Sequence, residues 1–459
     1  MRRNILADTR LFYVSRQGNL DIELRQAMEE GRDAGALLAR GREIFGAPPS
    51  RQAEAEALAF CETLRGLPLR PDYPYQEPES LADIIALFPP DPGPAPRLDG
   101  LGDRLRGALL GRIAGCLLGQ PVECWPRARI LGMMEATGNA PLRRYFSSDI
   151  PREVRERFGV EDEPGQYGNP RRSWINNIQC APEDDDLNYT LLALEIMEQY
   201  GPDFTPEDVC EALTLNVPVF LTCTAERVAY KNIVNGILPP LTAVYGNPYR
   251  EWLGAQIRVD GYSYAFPGRP REAAKRAVVD ASVTHARNGV YAAAFCAALI
   301  SLCATAGSVC EAVAGAMAFI PPRSRLREAL EGFLDREAGG MSDEQLIRDI
   351  HARYDEADRH DWCHVIPNDM IILLALLRGD GDFSRTVGLA VESGFDTDCN
   401  AATAGSAFGM LHGEGAIPGE WVAPLNGSMI SRIGSGGRME IASVADRFLK
   451  LAKDYSRQE

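Results

Sequence analysis

Gly107, Gly111, Gly115 and Gly119 recur every four residues within the stretch from Leu105 to Glu123. At 3.6 residues per turn, that spacing lines all four along one face of a helix. Each glycine costs a helix interior about 1 kcal/mol relative to alanine. A helix carrying four of them recovers the loss through very close approach of another backbone. The segment therefore predicts a helix packed unusually tightly against a neighbour.

The chain around it also reads as helical. Apolar positions recur at three- and four-residue spacing, as with Leu187, Leu191 and Leu194. Thr205, Pro206 and Asp208 mark a helix start, where proline and acids suit the first turn. Alternating strand-like runs are few and none is long enough for a central sheet, so the predicted fold class is all-α. Residues 1–88 form a helical N-terminal extension, amphipathic in places, and residues 89–98 are a Pro-rich linker that breaks regular structure. Residues 99–459 are the main domain. Residues 288–310 carry no charge and are long enough to span a bilayer. Thr305 to Ser308 interrupts them, however, and Ser308 with Glu311 predicts a capping box that starts a second helix. Two buried helices, with no membrane span, are expected.

Charge narrows the functional classes. A formal net charge of −16 and a pI near 5.0 argue against a general nucleic-acid or anionic-membrane surface. They leave room for a small anionic substrate held by a local basic pocket. The 11 cysteines are odd in number and scattered singly, which predicts free thiols in a reducing compartment, the cytoplasm. No apolar run follows the basic residues at the start, so no export signal is predicted.

Two acidic clusters carry the candidate chemistry. Asp184, Asp185 and Asp186 stand at the entrance to a helix, where acids suit the dipole and also converge because the capping residue is non-helical. Asp396 and Asp398 flank Thr397 just before a helix of small residues, Ala401 to Gly409. Together the clusters offer the several oxygen ligands that a hard divalent ion needs. Glu123, after Pro121 at the end of the glycine helix, is either a surface acid or one that faces a cavity.

With these three segments in this order, residues 100–420 resemble the ADP-ribosylglycohydrolase family, which includes the dinitrogenase reductase-activating glycohydrolases and some eye-lens crystallins. The glycine helix ending in Pro-x-Glu, the acidic run before a helix, and Asp-x-Asp before a small-residue helix match the family's three motifs. The resemblance implies an all-helical fold with two Mg2+ ions in a cleft, Mn2+ being an alternative. It implies metal ligands at Asp184, Asp185, Asp186, Asp396, Asp398 and Cys399, and catalytic roles for Glu123 and Asp185. The chain departs from the pattern at Asp184 and Leu187, which replace two threonines. Cys399 stands where a hydroxyl would bind magnesium, and Cys116 replaces a frequent aspartate. A thiol is a poor ligand for so hard an ion.

The substrate end differs more. Where the family has a Gly-Asn-Gly phosphate loop, the chain runs from Gly254 to Gly261, with Arg258 placed either to clamp a phosphate or to pair with Asp260 or Glu251. Thr284-His285 matches a Ser/Thr-His pair of the family, and His285 is a substrate-binding candidate or a core histidine. His360, Cys363 and His364 lack the further ligands of a structural zinc site, so no metal is expected there. No G-x-S-x-G elbow and no P-loop is present. The expected function is metal-dependent hydrolysis of an N- or O-glycosidic bond to ADP-ribose or a related ribosyl glycoside, with a small-molecule or ADP-ribosylated substrate. The alternative is a catalytically silent member that serves as a structural or ligand-binding protein.

Overall fold

The computed structural model describes residues 9–91, 99–162, 173–434 and 436–456. Residues 92–98, most of the predicted linker, and residues 1–8, where no export signal is predicted, lie outside them. Among the described residues helices dominate, and the strands form one antiparallel pair, Ser428–Ser431 with Gly437–Glu440. The fold is all-α.

Helix α1 (Leu20–Glu29) belongs to the N-terminal segment, and three helices position the site: α2 (Leu101–Gly119), α3 (Asp185–Tyr200) and α4 (Thr397–His412). The glycines of α2 face α4, and the two helices run antiparallel. A Cβ built on Gly111 meets the Gly405 carbonyl, one on Gly115 meets Ala401, and one on Gly119 meets the Thr397–Asp398 peptide. All three approaches fall under 3.0 Å, a distance real Cβ atoms essentially never show. Gly405 and Gly409 of α4 make the reciprocal approach to Gly111 and Gly107. The glycine spacing thus exists for backbone contact along the whole length of α2. It also sets the end of α2 directly against the start of α4, where Thr397 Oγ1 donates to the Gly119 carbonyl at 3.0 Å.

The uncharged stretch forms two helices, Asn288–Cys303 and Val309–Met317. Ser308 caps the second by accepting from the Glu311 amide, but Glu311 reaches back to the Gly307 amide at 2.8 Å rather than to Ser308, so the box is one residue wider than expected. No helix among the described residues is long and apolar enough to cross a membrane. The start at Thr205 is a full capping box with Asp208.

Residues 9–91 pack on the main domain, a point the sequence left undecided. They keep a small core of their own around Leu20, Leu24, Phe60 and Leu64. Their attachment combines apolar contacts, with Ile22, Ile84 and Phe88 in the main core, and buried ion pairs. Arg250 reaches Glu23 at 2.7 Å and Glu30 at 2.6 Å, and Arg325 reaches Glu77 at 2.9 Å. Every partner in this set is less than a tenth exposed.

Candidate metal centre

Three segments distant in sequence converge on one cleft of about 360 Å3. Glu123 follows the short 3-10 turn Gln120–Val122 that continues α2. Asp184 caps α3, its Oδ1 accepting from the Asp186 amide at 3.0 Å and its Oδ2 from Gln120 Nε2 at 2.7 Å. Asp185 and Asp186 occupy the first turn of α3. Asp396 caps α4 and Asp398 sits in its first turn. Gly394 and Phe395 precede them with φ of +81° and +57°. The left-handed conformation of a phenylalanine is strained. It curls the loop so that Asp396 and Asp398 turn toward the same cleft.

The ligand atoms lie close together. Glu123, Asp396 and Asp398 offer oxygens within 4.8 Å of one another; Asp186, Asp398 and Cys399 form a second such group, and Cys116, Asp184 and Asp186 a third. Asp186 Oδ2, Asp396 Oδ1 and Asp398 Oδ1 are buried and have no hydrogen-bond donor among the described residues. An uncompensated buried carboxylate oxygen is costly unless a cation or proton meets it. Burial and the neighbouring acids hold the carboxyls of Asp185 and Asp398 well above the ordinary range, and Asp186 is pushed up to about 8 by burial despite Arg112. Orphaned oxygens at ligand spacing and mutual repulsion together fit a divalent-cation site.

Cys399 brings its sulfur into the second group, so the thiol does reach the site. Leu187 does not substitute for a ligand: it is buried in the apolar core. Asp185 borders the cleft beside Glu123.

The arrangement corrects the expectation for Arg258 and His285. Neither borders the cleft. Arg258 is 2% exposed and pairs with Asp280 at 2.7 Å and with Glu226, not with Asp260 or Glu251. His285 accepts or donates at Nδ1 to Thr284 Oγ1 at 2.7 Å, and its pKa falls well below the ordinary histidine range through burial and the nearby Arg258. Both stand behind Glu226, which does border the cleft and whose pKa burial raises to about 7. Asp260 instead lies 3.1 Å from Arg112.

Several residues of the site escaped the sequence reading. Arg112, fully buried in α2, donates to the Asp186 carboxylate at 2.9 Å and to the Ile257 carbonyl at 2.6 Å. The available signal was that Arg112 is the one charged residue between Gly107 and Gly119. Cys363 approaches Asp396 Oδ2 at 3.1 Å, so the His-Asp-Trp-Cys-His segment contributes to the cleft wall. Its histidines turn the other way. His360 contacts Asp361 at 2.9 Å and Gln26 at 3.1 Å, while His364 lies 3.3 Å from Glu251. Tyr13, from the N-terminal segment, also borders the cleft.

The family model for ADP-ribosylglycohydrolase matches residues 97–458, more than half of the chain. The chain belongs to that family. A solved structure described as an ADP-ribosylglycohydrolase-related protein complex is similar at 22% identity, covering 77% of this chain and all of the other, with a TM-score of 0.44. No curated protein matches the chain. The acids of the cleft, Glu123 to Asp398, fall within the residues that match the family. Residues 9–91 lie outside the matched region and still contribute a cleft residue.

Proposed function

We propose that the chain is a metal-dependent glycohydrolase that cleaves an N- or O-glycosidic bond to ADP-ribose or a related ribosyl glycoside. The observation carrying this reading is the set of buried carboxylate oxygens without donors among the described residues, brought from two distant segments to ligand spacing, with Glu123 of a third segment beside them. Asp396 and Asp398 with Glu123 would hold one cation, and Asp186 with Asp398 and Cys399 a second, Asp398 being common to both groups. Mg2+ is the expected ion and Mn2+ the alternative that Cys399 favours. When bound, the ions supply positive charge for the sugar hydroxyls and acidify water.

The chain's own residues do the rest. Glu123 or Asp185 takes the proton from the attacking water, both lying at the cleft. Asp184 fixes the turn that presents Asp185 and Asp186. Arg112 holds one oxygen of Asp186 and leaves the other, buried and without a donor among the described residues, for a cation. Free thiols at all 11 cysteines are in keeping with a cytoplasmic setting. A second reading, a silent member that binds without turnover, is favoured by the thiol at Cys399 and the apolar Leu187.

The test is turnover. ADP-ribosylated peptide and simple ribosides are incubated with the protein and Mg2+ or Mn2+, and free sugar is followed by NMR. Release that stops with a chelator and in Asp185→Asn supports the reading. Metal binding without release of sugar from any of these compounds favours the silent member.

A further inference from the structure

We infer that the cleft takes an uncharged riboside with an aromatic leaving group, its base held by Tyr13, Phe220 and Trp362. This rests on the glycohydrolase reading above and narrows it to a substrate class.

The first support is the aromatic wall. Tyr13, Phe220 and Trp362 all border the same cleft as the acids. Tyr13 and Trp362 are linked by a run of edge-packed rings, Tyr13 on Tyr249 at 5.9 Å, Tyr249 on Trp252 at 4.7 Å, and Trp252 on Trp362 at 5.8 Å. The guanidinium of Arg227 lies 5.2 Å from the Phe220 ring and 5.9 Å from Tyr13, bracing both rings. Arg227 itself is 2% exposed, so the rings, not the cation, meet the cleft. Phe220 is 42% exposed, an apolar surface that nothing in the described chain covers. Tyr13 also sits near the chemistry: Glu123, Cys223 and Cys124 add to burial in raising its phenol pKa.

Charge is the second support. Seven carboxylates line the cleft, and among its described lining residues none is lysine, arginine or histidine. Glu183 and Glu226 are paired with arginines, and two divalent ions would offset four of the remaining five charges. Arg432, at the rim, is paired with Glu183 at 3.2 Å, and Arg258 is spent on Glu226 and Asp280. One amide at the start of α3, that of Asp186, is taken by Asp184. A diphosphate therefore meets no complementary charge beyond the ions, and like charges at close range are costly. Sugar hydroxyls at the acids and an uncharged base on the rings suit both ends. The volume of about 360 Å3 falls at the small end of the range for ligand pockets, about 300–1,000 Å3.

In the reaction, the bond from the anomeric carbon to the base nitrogen breaks, and the water oxygen bonds that carbon. The proton taken by a cleft carboxylate returns to the departing nitrogen, so free ribose and neutral base leave. Tyr13 comes from outside the family-matched residues 97–458, which makes the N-terminal segment part of the substrate site.

Calorimetry of the metal-loaded full chain with adenosine, methyl riboside and ADP-ribose tests this, alongside Tyr13→Ala, Tyr13→Phe and Trp362→Ala. Stacking on an aromatic side chain is expected to make adenosine bind about ten-fold or more tighter than methyl riboside, and tighter than ADP-ribose. Tyr13→Ala loses that advantage for adenosine only, and Tyr13→Phe keeps it. Tighter binding of ADP-ribose, or an equal loss for all three ligands in Tyr13→Ala, overturns the inference. If metal binds but no riboside does, the substrate class is wrong while the metal centre stands. If metal does not bind, the glycohydrolase reading fails with it.

Discussion

Replacing Gly119 by alanine tests how the fold builds the site. The new Cβ would lie under 3.0 Å from the Asp398 amide and the Thr397 carbonyl carbon, where ordinary contact is 3.4–4 Å. Both obstacles are backbone, so no side-chain rotation relieves the clash. The start of α4 must retreat by roughly 1 Å to restore normal packing. Overpacking of this kind costs about 1–3 kcal/mol, and alanine's better helix propensity returns at most about 1 kcal/mol. A net loss of roughly 2 kcal/mol is expected. The same retreat carries Asp396 and Asp398 away from Glu123 and Asp186, and a supporting-shell change of this size typically lowers metal affinity by about 10–100-fold. Gly107→Ala is the control. Its Cβ clashes equally with backbone, at 2.5 Å from the Gly413 carbonyl carbon, but at the far end of the helix pair. Urea unfolding and metal calorimetry on both variants separate the effects. Both lose stability, and only Gly119→Ala loses metal. A Gly119→Ala protein as stable as the parent, or with unchanged metal affinity, refutes the argument.

Further outcomes follow from the same geometry. Buried acids whose pKa is raised keep protons in the native state that the unfolded chain has released between about pH 4 and pH 8. Stability of the metal-stripped protein therefore falls as pH rises through that window, by up to about 1.4 kcal/mol per pH unit for each such carboxyl. Added metal raises the melting temperature more at pH 8 than at pH 5, and thermal melts across that range check both trends. Cys399→Ser restores an oxygen donor at the second ligand group, so the ratio of Mg2+ to Mn2+ affinity rises, by roughly ten-fold, in paired titrations. Arg250→Ala leaves Glu23 and Glu30 buried without their cation, which costs about 3–5 kcal/mol and exposes residues 9–91 to limited proteolysis.

Much of this was legible in the residues. The four-residue glycine spacing announced a backbone contact, because nothing else compensates four glycines in one helix. That its partner is α4 became visible only in the packing. The acids of the two clusters were identifiable because a helix start lets neighbouring carboxylates converge, whereas Glu123, at the end of the glycine helix, read equally as a surface acid. Arg258 and His285 were not. Their partners Glu226, Asp280 and Thr284 include residues far along the chain, and a nearby acid such as Asp260 proved to belong to Arg112. Tyr13 and Cys363 reach the cleft only through tertiary packing, which local periodicity does not encode. The buried pairing of Arg250 with Glu23 and Glu30 was equally invisible, since 227 residues separate Arg250 from Glu23.

The central claim is that acids from distant segments form one metal site. Calorimetric titration of the metal-stripped protein with Mg2+ and Mn2+, repeated on Asp186→Asn and Asp398→Ala, addresses it directly. Saturable binding in the parent that is lost or strongly weakened in both variants is the predicted result. A parent that binds neither ion near neutral pH, or variants that bind as the parent does, contradicts it.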